Sequence, residues 1–246
     1  MTGVLDDYPG AMVGYSLRLL NTDYTGSAVT VRRASDNATQ NIGFVDGELD
    51  VTALETFCSG TNGFVSVWFD QSGNGRNATQ TTASAQPKIH DATTGVITSF
   101  SKPSIEFDGT SDWVDANYTT SRFSQLFAVK DNIGSAQGSV VSFSGAVQFQ
   151  PITYNTASDD ITFSDFDGLY VVDNLNVKGY LNDVDETNGA TTLTQTFNRL
   201  IIGSLNGSAP FMVNFLSEVI IYPFETDQSS NRVAIQDNIN DFYSIY

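Results

Sequence analysis

Cysteine and histidine are almost missing from this chain of 246 residues, which holds one of each, Cys58 and His90. A single thiol cannot close an internal disulfide or build a Cys-rich zinc site. A single imidazole excludes the His-pair metal centres that an HExxH helix provides. A Ser-His-Asp triad would have to use His90, which sits in the polar segment QPKIHDATTG with no GxSxG elbow to accompany it. An exposed loop histidine is expected there. Bases are scarce too: 11 Lys and Arg stand against 28 Asp and Glu, a formal charge of −17, and only Arg32 and Arg33 are adjacent. Nucleic-acid binding needs cations that neutralise phosphates, so the sign of this field argues against it. No run approaches the ~18 consecutive apolar residues of a membrane helix. The first ten residues, MTGVLDDYPG, carry two acids and no base, the wrong charge for a secretory signal.

What is present is β pattern. Short runs rich in Val, Ile, Phe and Tyr alternate apolar and polar residues between Gly, Asn, Asp and Ser, as in AVTVRR, FVSVWF, SIEFDG, QLFAVK, LYVVDNLNV and RLIIGS. In NFLSEVIIYP, Phe215, Ser217, Val219 and Ile221 share one face, and Leu216, Glu218, Ile220 and Tyr222 share the other. Both faces are largely apolar, so a central strand covered on both sides is expected. Many short strands at this spacing indicate an all-β sandwich or barrel. Two helices interrupt the pattern. DVTALETFCSG has Asp50 as N-cap and Gly60 as a stop, placing a short helix near 51–58. At the C-terminus Val233, Ile235, Ile239, Phe242 and Tyr246 fall near helical spacing behind Thr226 or Asp227, placing a helix at about 229–244. No repeat, linker or composition break divides the chain, so one domain over 1–246 is expected.

The most pointed phrase is WFDQSGNGRNATQ, residues 68–80. As a calcium EF-hand counted from Asp70 it matches at Ser72, Asn74 and Gly75, but the twelfth position is Thr81 rather than an acid. As a phosphate loop it lacks the GK[ST] ending. Turn chemistry remains, with Gly73 and Gly75 free to adopt positive φ, and so does a single calcium ion held by Asp70 and Asn74 with carbonyls from other loops. The acidic runs SDDITFSDFDG (159–168 with its flank) and LNDVDETNG (181–189) fall where hairpin turns are expected. FDGTSDWVDANYTT sets Trp113 and Tyr118 among Asp and Asn, either as aromatics closing one end of a sandwich or as sugar-stacking rings. Asp70, Asn74, Trp113 and Tyr118 are therefore the candidate carbohydrate-binding residues, on rim loops 70–77 and 108–118.

The N-terminal part, from DDYPGAMVGYSLRLL through FVSVWFDQSGNGRNATQ, resembles the catalytic domain of arabinofuranosidase B, glycoside hydrolase family 54. The shared features are the YSLRLL…YTG opening, a charged strand followed by SDN, a short helix ending at FC, and DQSGNG…TQ. The C-terminal RLIIGSLNGSAPFMVNFLSEVIIYP and the terminal helix resemble the closing strands of concanavalin A-like, laminin G-type jelly rolls, a combination similar to virion and tail proteins of tailed phages. The resemblance implies an antiparallel concanavalin A-like β-sandwich. It also implies a retaining glycosidase with two carboxyls, a Glu nucleophile in the middle of the domain and an Asp acid/base just after an ILGIGG-like strand. In this chain Leu205 and Asn206 stand at the second place, and no Asp occurs from Ile202 through Pro223. Of the six Glu (48, 55, 106, 186, 218, 225), none lies between 106 and 186. On these grounds the expectation is a non-enzymatic virion surface protein: a capsid decoration, fibre or tail component. Its partners would be other virion proteins and cell-surface glycans, and it would reach the exterior by lysis. A purely structural virion role and a divergent arabinofuranosidase are the alternatives.

Overall fold

The strand Val213–Pro223 organises the molecule because both its edges and both its faces are occupied. In a computed structural model, which describes residues 2–116, 123–132, 141–143, 147–149, 167–173, 176, 178–185, 200–205 and 208–246, it pairs antiparallel with Val13–Ser16 and Ile105–Asp108 along one edge. Phe123–Asn132 takes the other edge, and Gly168–Asp173, Lys178–Leu181 and Val184–Asp185 continue the layer. A second layer runs Thr39–Ile42, Val29–Arg33 and Gly63–Trp68. Ala78–Thr79 and Lys88–Asp91 share the far edge of Gly63–Trp68. Val114–Ala116, Leu200–Ile202 and Val141–Phe143 extend this layer beyond Ala78–Thr79. The result is the expected antiparallel β-sandwich. Its layers join by backbone pairing where Glu106 stands opposite Lys88, a junction that shapes the site described below.

The alternation of side chains accounts for the two cores. Val13, Tyr15, Val31, Val65, Trp68, Phe107, Val219 and Ile221 point between the layers and form one cluster. Phe127, Val129, Val171, Ile220 and Tyr222 point outward from the first layer and are covered by α1 (Val4–Asp7) and α3 (Arg232–Tyr243) through Val4, Leu5, Ile235, Ile239 and Tyr243. Each such side chain contributes about 1.5–3 kcal/mol by leaving water. The strict alternation expected along NFLSEVIIYP breaks once. The register slips opposite Val129 and Lys130, so Leu216 joins Val219 and Ile221 in the inter-layer core and parts from Glu218. A bulge of one residue moves every side chain beyond it to the other face.

Glu218 keeps the outward face it shares with Ile220 and Tyr222, under α3. Its fully buried carboxylate accepts from Arg18 Nε at 2.7 Å and Nη2 at 3.0 Å, and from Ser16 Oγ at 2.8 Å. Arg18 Nη1 reaches Asn238 Oδ1 of α3 at 2.9 Å, so the pair fastens the helix to the sheet. Deleting one partner of such a pair strands a buried charge, at a cost of about 3–5 kcal/mol.

The short helix α2, Val51–Phe57, starts as expected, with Asp50 Oδ1 accepting from Ala53 N at 2.9 Å. The C-terminal segment differs in detail. Asp227 accepts from Ser229 N at 2.8 Å, just before a 3-10 turn, Ser229–Asn231, that precedes α3. The buried stripe is Ile235, Ile239 and Tyr243, whereas Val233 and Tyr246 are exposed at 45% and 48%. His90 is a correction: it is not an exposed loop residue. It lies buried in the strand Lys88–Asp91, opposite Gly63, with Nδ1 3.0 Å from the Thr61 carbonyl oxygen. Polar neighbours in the sequence concealed a strand whose pairing partner supplies the burial.

Candidate active site

The loop after Gly63–Trp68 is an organiser of the N-terminal segment. Asp70 is buried, and its Oδ1 accepts from Gly14 N and Ser72 N, both at 2.9 Å. Its Oδ2 accepts from Ser72 Oγ at 2.9 Å and Arg76 N at 3.0 Å. A carboxylate offers about four lone-pair directions, and all are used. Gln71, fully buried, accepts from Leu20 N at 2.8 Å and donates to the Ser16 and Arg18 carbonyls at 3.1 and 3.0 Å. Asn74 donates through Nδ2 to the Ala11 and Met12 carbonyls at 3.0 and 3.2 Å. Gly73 and Gly75 take φ of +87° and +69°, the left-handed conformation the turn needs.

Asp70 and Asn74 are thus brought together, and both face the protein's own backbone. Trp113 belongs to a different neighbourhood, where its backbone N–H donates to the Ala85 carbonyl at 3.2 Å and its backbone carbonyl accepts from Gln80 Nε2 at 3.0 Å. Tyr118 lies outside the described residues, as does most of the acidic run 159–168. In the other acidic run, Asn182 and Asp183 form a two-residue turn with φ of +50° and +64° between Leu181 and Val184, as turn chemistry predicts. Asp183 and Asp185 pair with Arg232 and Lys178 at 2.7 and 2.6 Å. Among the described residues no group of three His, Cys, Asp or Glu side chains converges as a metal-ligand set.

A different set of carboxyls converges where the two layers meet. The strand Ile105–Asp108 buries Ile105 and Phe107 and turns Glu106 and Asp108 to its other face, roughly 6–7 Å apart along the chain at a rise of about 3.3 Å per residue. Gly109 then reverses the chain with φ +71°; a Cβ there would stand 1.8 Å from Val213 Cγ2, so any side chain would displace Val213 as well as strain the backbone. The turn delivers Asp112 to the same cavity. Asn62, Phe64, Lys88, Glu106, Asp108 and Asp112 line this space of about 340 Å³.

The three acids are in different electrostatic states. Asp108 Oδ1 accepts from Thr110 N and Ser111 N, both at 2.8 Å, and from Asp112 N at 3.2 Å. Burial pulls its pKa upward, but these N–H donors prevail and hold it below the usual range. Glu106 is paired with Lys88 Nζ at 2.9 Å, across the junction of the layers. Asp112 is 6% exposed, and its pKa is pushed up to about 7, first by burial and then by the negative charge of Asp108, with Glu106 adding to it. Its Oδ2 accepts from Asp108 N at 3.1 Å, while Oδ1 accepts no hydrogen bond from the described residues. A neutral carboxyl, Asp112, beside the ionised Asp108 puts a proton donor and an anion in the same space. Sequence reasoning passed over Asp112 and Glu106. The signal was present in the strand alternation of Glu106 and Asp108 together with the Asp-Gly turn that follows.

The sequence model of the α-L-arabinofuranosidase B catalytic family matches residues 9–124, just under half the chain. Among curated relatives, the probable α-L-arabinofuranosidase B of Aspergillus terreus is 40% identical over 65 residues, 26% of this chain and 13% of that protein. The α-L-arabinofuranosidase B of Penicillium canescens is 38% identical over 65 residues, 26% of this chain and 14% of that protein. That of Aspergillus niger is 33% identical over 76 residues, 30% of this chain and 15% of that protein. The chain therefore spans about one seventh of the length of these relatives. In structure it resembles a mutant family 54 α-L-arabinofuranosidase soaked with 4-nitrophenyl α-L-arabinofuranoside, with TM-score 0.65, 17% identity, and coverage of 93% of this chain and 62% of that one. An arabinofuranosidase complexed with arabinofuranosyl-α-1,2-xylobiose gives TM-score 0.60 and 15% identity over the same shares. The fold is that of these sandwiches.

These matches correct the functional expectation. The relatives are glycosidases, and the phage and virion context has no support among them. The reading of the chain as a non-enzymatic virion surface protein, with its capsid, fibre and tail associations, is overturned. Catalysis was not expected because neither a mid-domain Glu nor an Asp after the LIIGSLNG strand matches the family's pattern. Glu106, Asp108 and Asp112 lie inside the matched N-terminal segment instead.

Proposed function

We propose that the chain is a glycoside hydrolase acting on α-L-arabinofuranosides at the Asp112 cavity. One observation carries the reading: every residue lining that cavity, from Asn62 to Asp112, falls within the 9–124 segment matched to the α-L-arabinofuranosidase B catalytic family. The cavity holds the two kinds of carboxyl that glycoside hydrolysis requires.

Asp112 is the proton donor. With a pKa raised to about 7 it stays neutral in mildly acidic solution, and its unengaged Oδ1 is free to meet a glycosidic oxygen. Glu106 is the nucleophile, held in place by its ion pair with Lys88 at 2.9 Å. Asp108 is excluded from either role because its acceptor sites hold the turn. Protonation by Asp112 releases the alcohol as Glu106 attacks the anomeric carbon and forms a glycosyl ester. The Asp112 carboxylate then takes a proton from water, whose oxygen displaces Glu106 and releases arabinose. Protons and charge return to their starting places.

The test is release of 4-nitrophenol from 4-nitrophenyl α-L-arabinofuranoside. Asp112→Asn and Glu106→Gln each lower kcat by about 10²–10⁴-fold, and azide restores turnover to a Glu106→Gly variant by standing in for the lost nucleophile. Absence of release by the unaltered protein, from this substrate and from arabinan, overturns the reading.

A further inference from the structure

Asn-Gly occurs at 62–63, 74–75, 188–189 and 206–207. This dipeptide is the one most open to loss of the side-chain amide, because a glycine nitrogen carries no side chain to obstruct its approach to the neighbouring Asn Cγ. The last two pairs lie outside the described residues. The first two share a sequence and have opposite surroundings.

Asn62–Gly63 is locked. Gly63 begins a strand and stands opposite Arg33 on one side and His90 on the other. A Cβ on it would meet Cys58 Sγ at 2.6 Å and His90 Cβ at 3.1 Å, so the backbone there has no room to turn. The Asn62 carbonyl accepts from Ala34 N at 2.9 Å, and its Oδ1 accepts from Ala92 N at 2.8 Å. Ring closure at Asn62 needs the Gly63 nitrogen to rotate towards Cγ, which breaks these bonds. Asn74–Gly75 is loose at the same place. Both residues are exposed, and nothing lies within 4 Å of a Cβ built on Gly75. Neither the Asn74 carbonyl nor the Gly75 N–H is hydrogen-bonded among the described residues. The Asn74 side chain is held instead: Nδ2 donates to the Ala11 and Met12 carbonyls at 3.0 and 3.2 Å and to Ser72 Oγ at 3.0 Å. The nitrogen that deamidation removes is therefore also the clamp on the segment leading into Val13–Ser16.

We propose that Asn74 is a site of spontaneous deamidation, and that the reaction unfastens residues 11–12 from the 70–76 loop. The site is independent of the hydrolase reading. Hydroxide takes the proton from the Gly75 nitrogen, which bonds to Asn74 Cγ as the Cγ–Nδ2 bond breaks. Nδ2 leaves as ammonia, with a proton taken from water, and a five-membered succinimide remains. Water then opens the ring at either carbonyl, to give aspartate or isoaspartate. One water is consumed and one ammonia released, and no oxidant or cofactor takes part. The new carboxylate has no N–H for the Ala11 and Met12 carbonyls. It also sets a second negative charge beside Ser72, whose hydroxyl already donates to Asp70.

The unaltered protein is incubated at pH 8, both folded and in guanidinium. Trypsin leaves both pairs in one peptide, 34–76, and fragmentation assigns the mass gain to Asn62 or Asn74. In the folded protein Asn74 converts at least about tenfold faster than Asn62, whose reaction waits on opening of the strand. In guanidinium the two convert at similar rates. Aged protein and an Asn74→Asp variant melt about 2–4 °C lower, the shift that loss of a hydrogen-bonded clamp produces in a domain of this size. An Asn74→Gln variant, whose larger ring closes slowly, keeps its own starting Tm through the same incubation. Conversion of Asn74 only in guanidinium, or of both residues alike in the folded protein, overturns the site. Conversion of Asn74 with no change in Tm, or an Asn74→Gln variant whose Tm falls as fast as that of the unaltered protein, overturns the unfastening.

Discussion

Two turns of this protein are built from the same residues and end in opposite chemical states. The 70–76 loop and the 108–112 turn each open with an Asp that gathers backbone N–H groups around a Gly with positive φ. In the first, the carboxylate bonds both its own loop and the distant Gly14, and no acceptor site is left over. In the second, Asp108 performs the organising task and a further acid, Asp112, arrives four residues later in a buried place already negative. The chain cannot gather enough donors there for two carboxylates, so one of them remains neutral. A fully satisfied acid stabilises a fold, and an unsatisfied one stores reactivity.

The contrast is broken most directly by deletion. Asp70→Ala leaves the N–H groups of Gly14, Ser72 and Arg76 and the Ser72 hydroxyl without their acceptor. Unmet buried donors cost about 1–3 kcal/mol each before relaxation and water recover part of it, so a loss of about 3 kcal/mol or more in urea unfolding is expected. Asp112→Asn, measured alongside at pH 5, changes stability by less than about 1 kcal/mol, since a neutral amide replaces a neutral acid. Comparable losses at the two positions would dissolve the distinction between a structural and a reactive turn.

Much of the architecture was legible because burial follows period. The sandwich, the central Val213–Pro223 strand and the Asp50-capped helix follow from alternation and capping residues that act over a few positions. What escaped the sequence depends on partners distant along the chain. The bulge opposite Val129 and Lys130 needs the register of two strands, and the burial of His90 needs Gly63. The cavity is of this second kind: Lys88 meets Glu106 only because strands from both layers pair there. The DQSGNG phrase drew attention because its residues are chemically conspicuous, yet a loop rich in Asp and Asn bonds itself. Asp112, in a plainer phrase, has its pKa raised by burial, which no local pattern encodes.

A subtler probe is pH. The folded pKa of Asp112 is raised from the ordinary 3.8 to about 7, so the folded state binds more protons than the unfolded one between those values. Its contribution to stability is present in full below the unfolded pKa and is lost as pH rises through the folded pKa. Asp112→Asn therefore raises Tm relative to the unaltered protein at pH 8 and leaves it nearly unchanged at pH 4. The same ionisation removes the proton donor, so kcat/KM falls on the alkaline side with a midpoint near 7 in the unaltered protein. A Tm difference independent of pH across this range would show that burial does not hold Asp112 neutral.

The smallest effect expected sharpens the comparison from the other side. Calcium was the ligand suggested for Asp70 and Asn74, and coordination requires oxygen lone pairs directed at the ion. Asp70 has both oxygens engaged by four donors, and Asn74 points its amide nitrogen, not its oxygen, at the Ala11 and Met12 carbonyls. Binding an ion here would require breaking those bonds and repacking the Gly14 strand. Millimolar calcium followed by EDTA should thus shift Tm by less than about 1 °C, and Asp70→Asn should show the same indifference despite its lower stability. A calcium-dependent rise of several degrees that vanishes in Asp70→Asn would place a metal in the loop. The 70–76 carboxylate would then be as unsatisfied as Asp112, and the difference between the two turns would lie in what fills them.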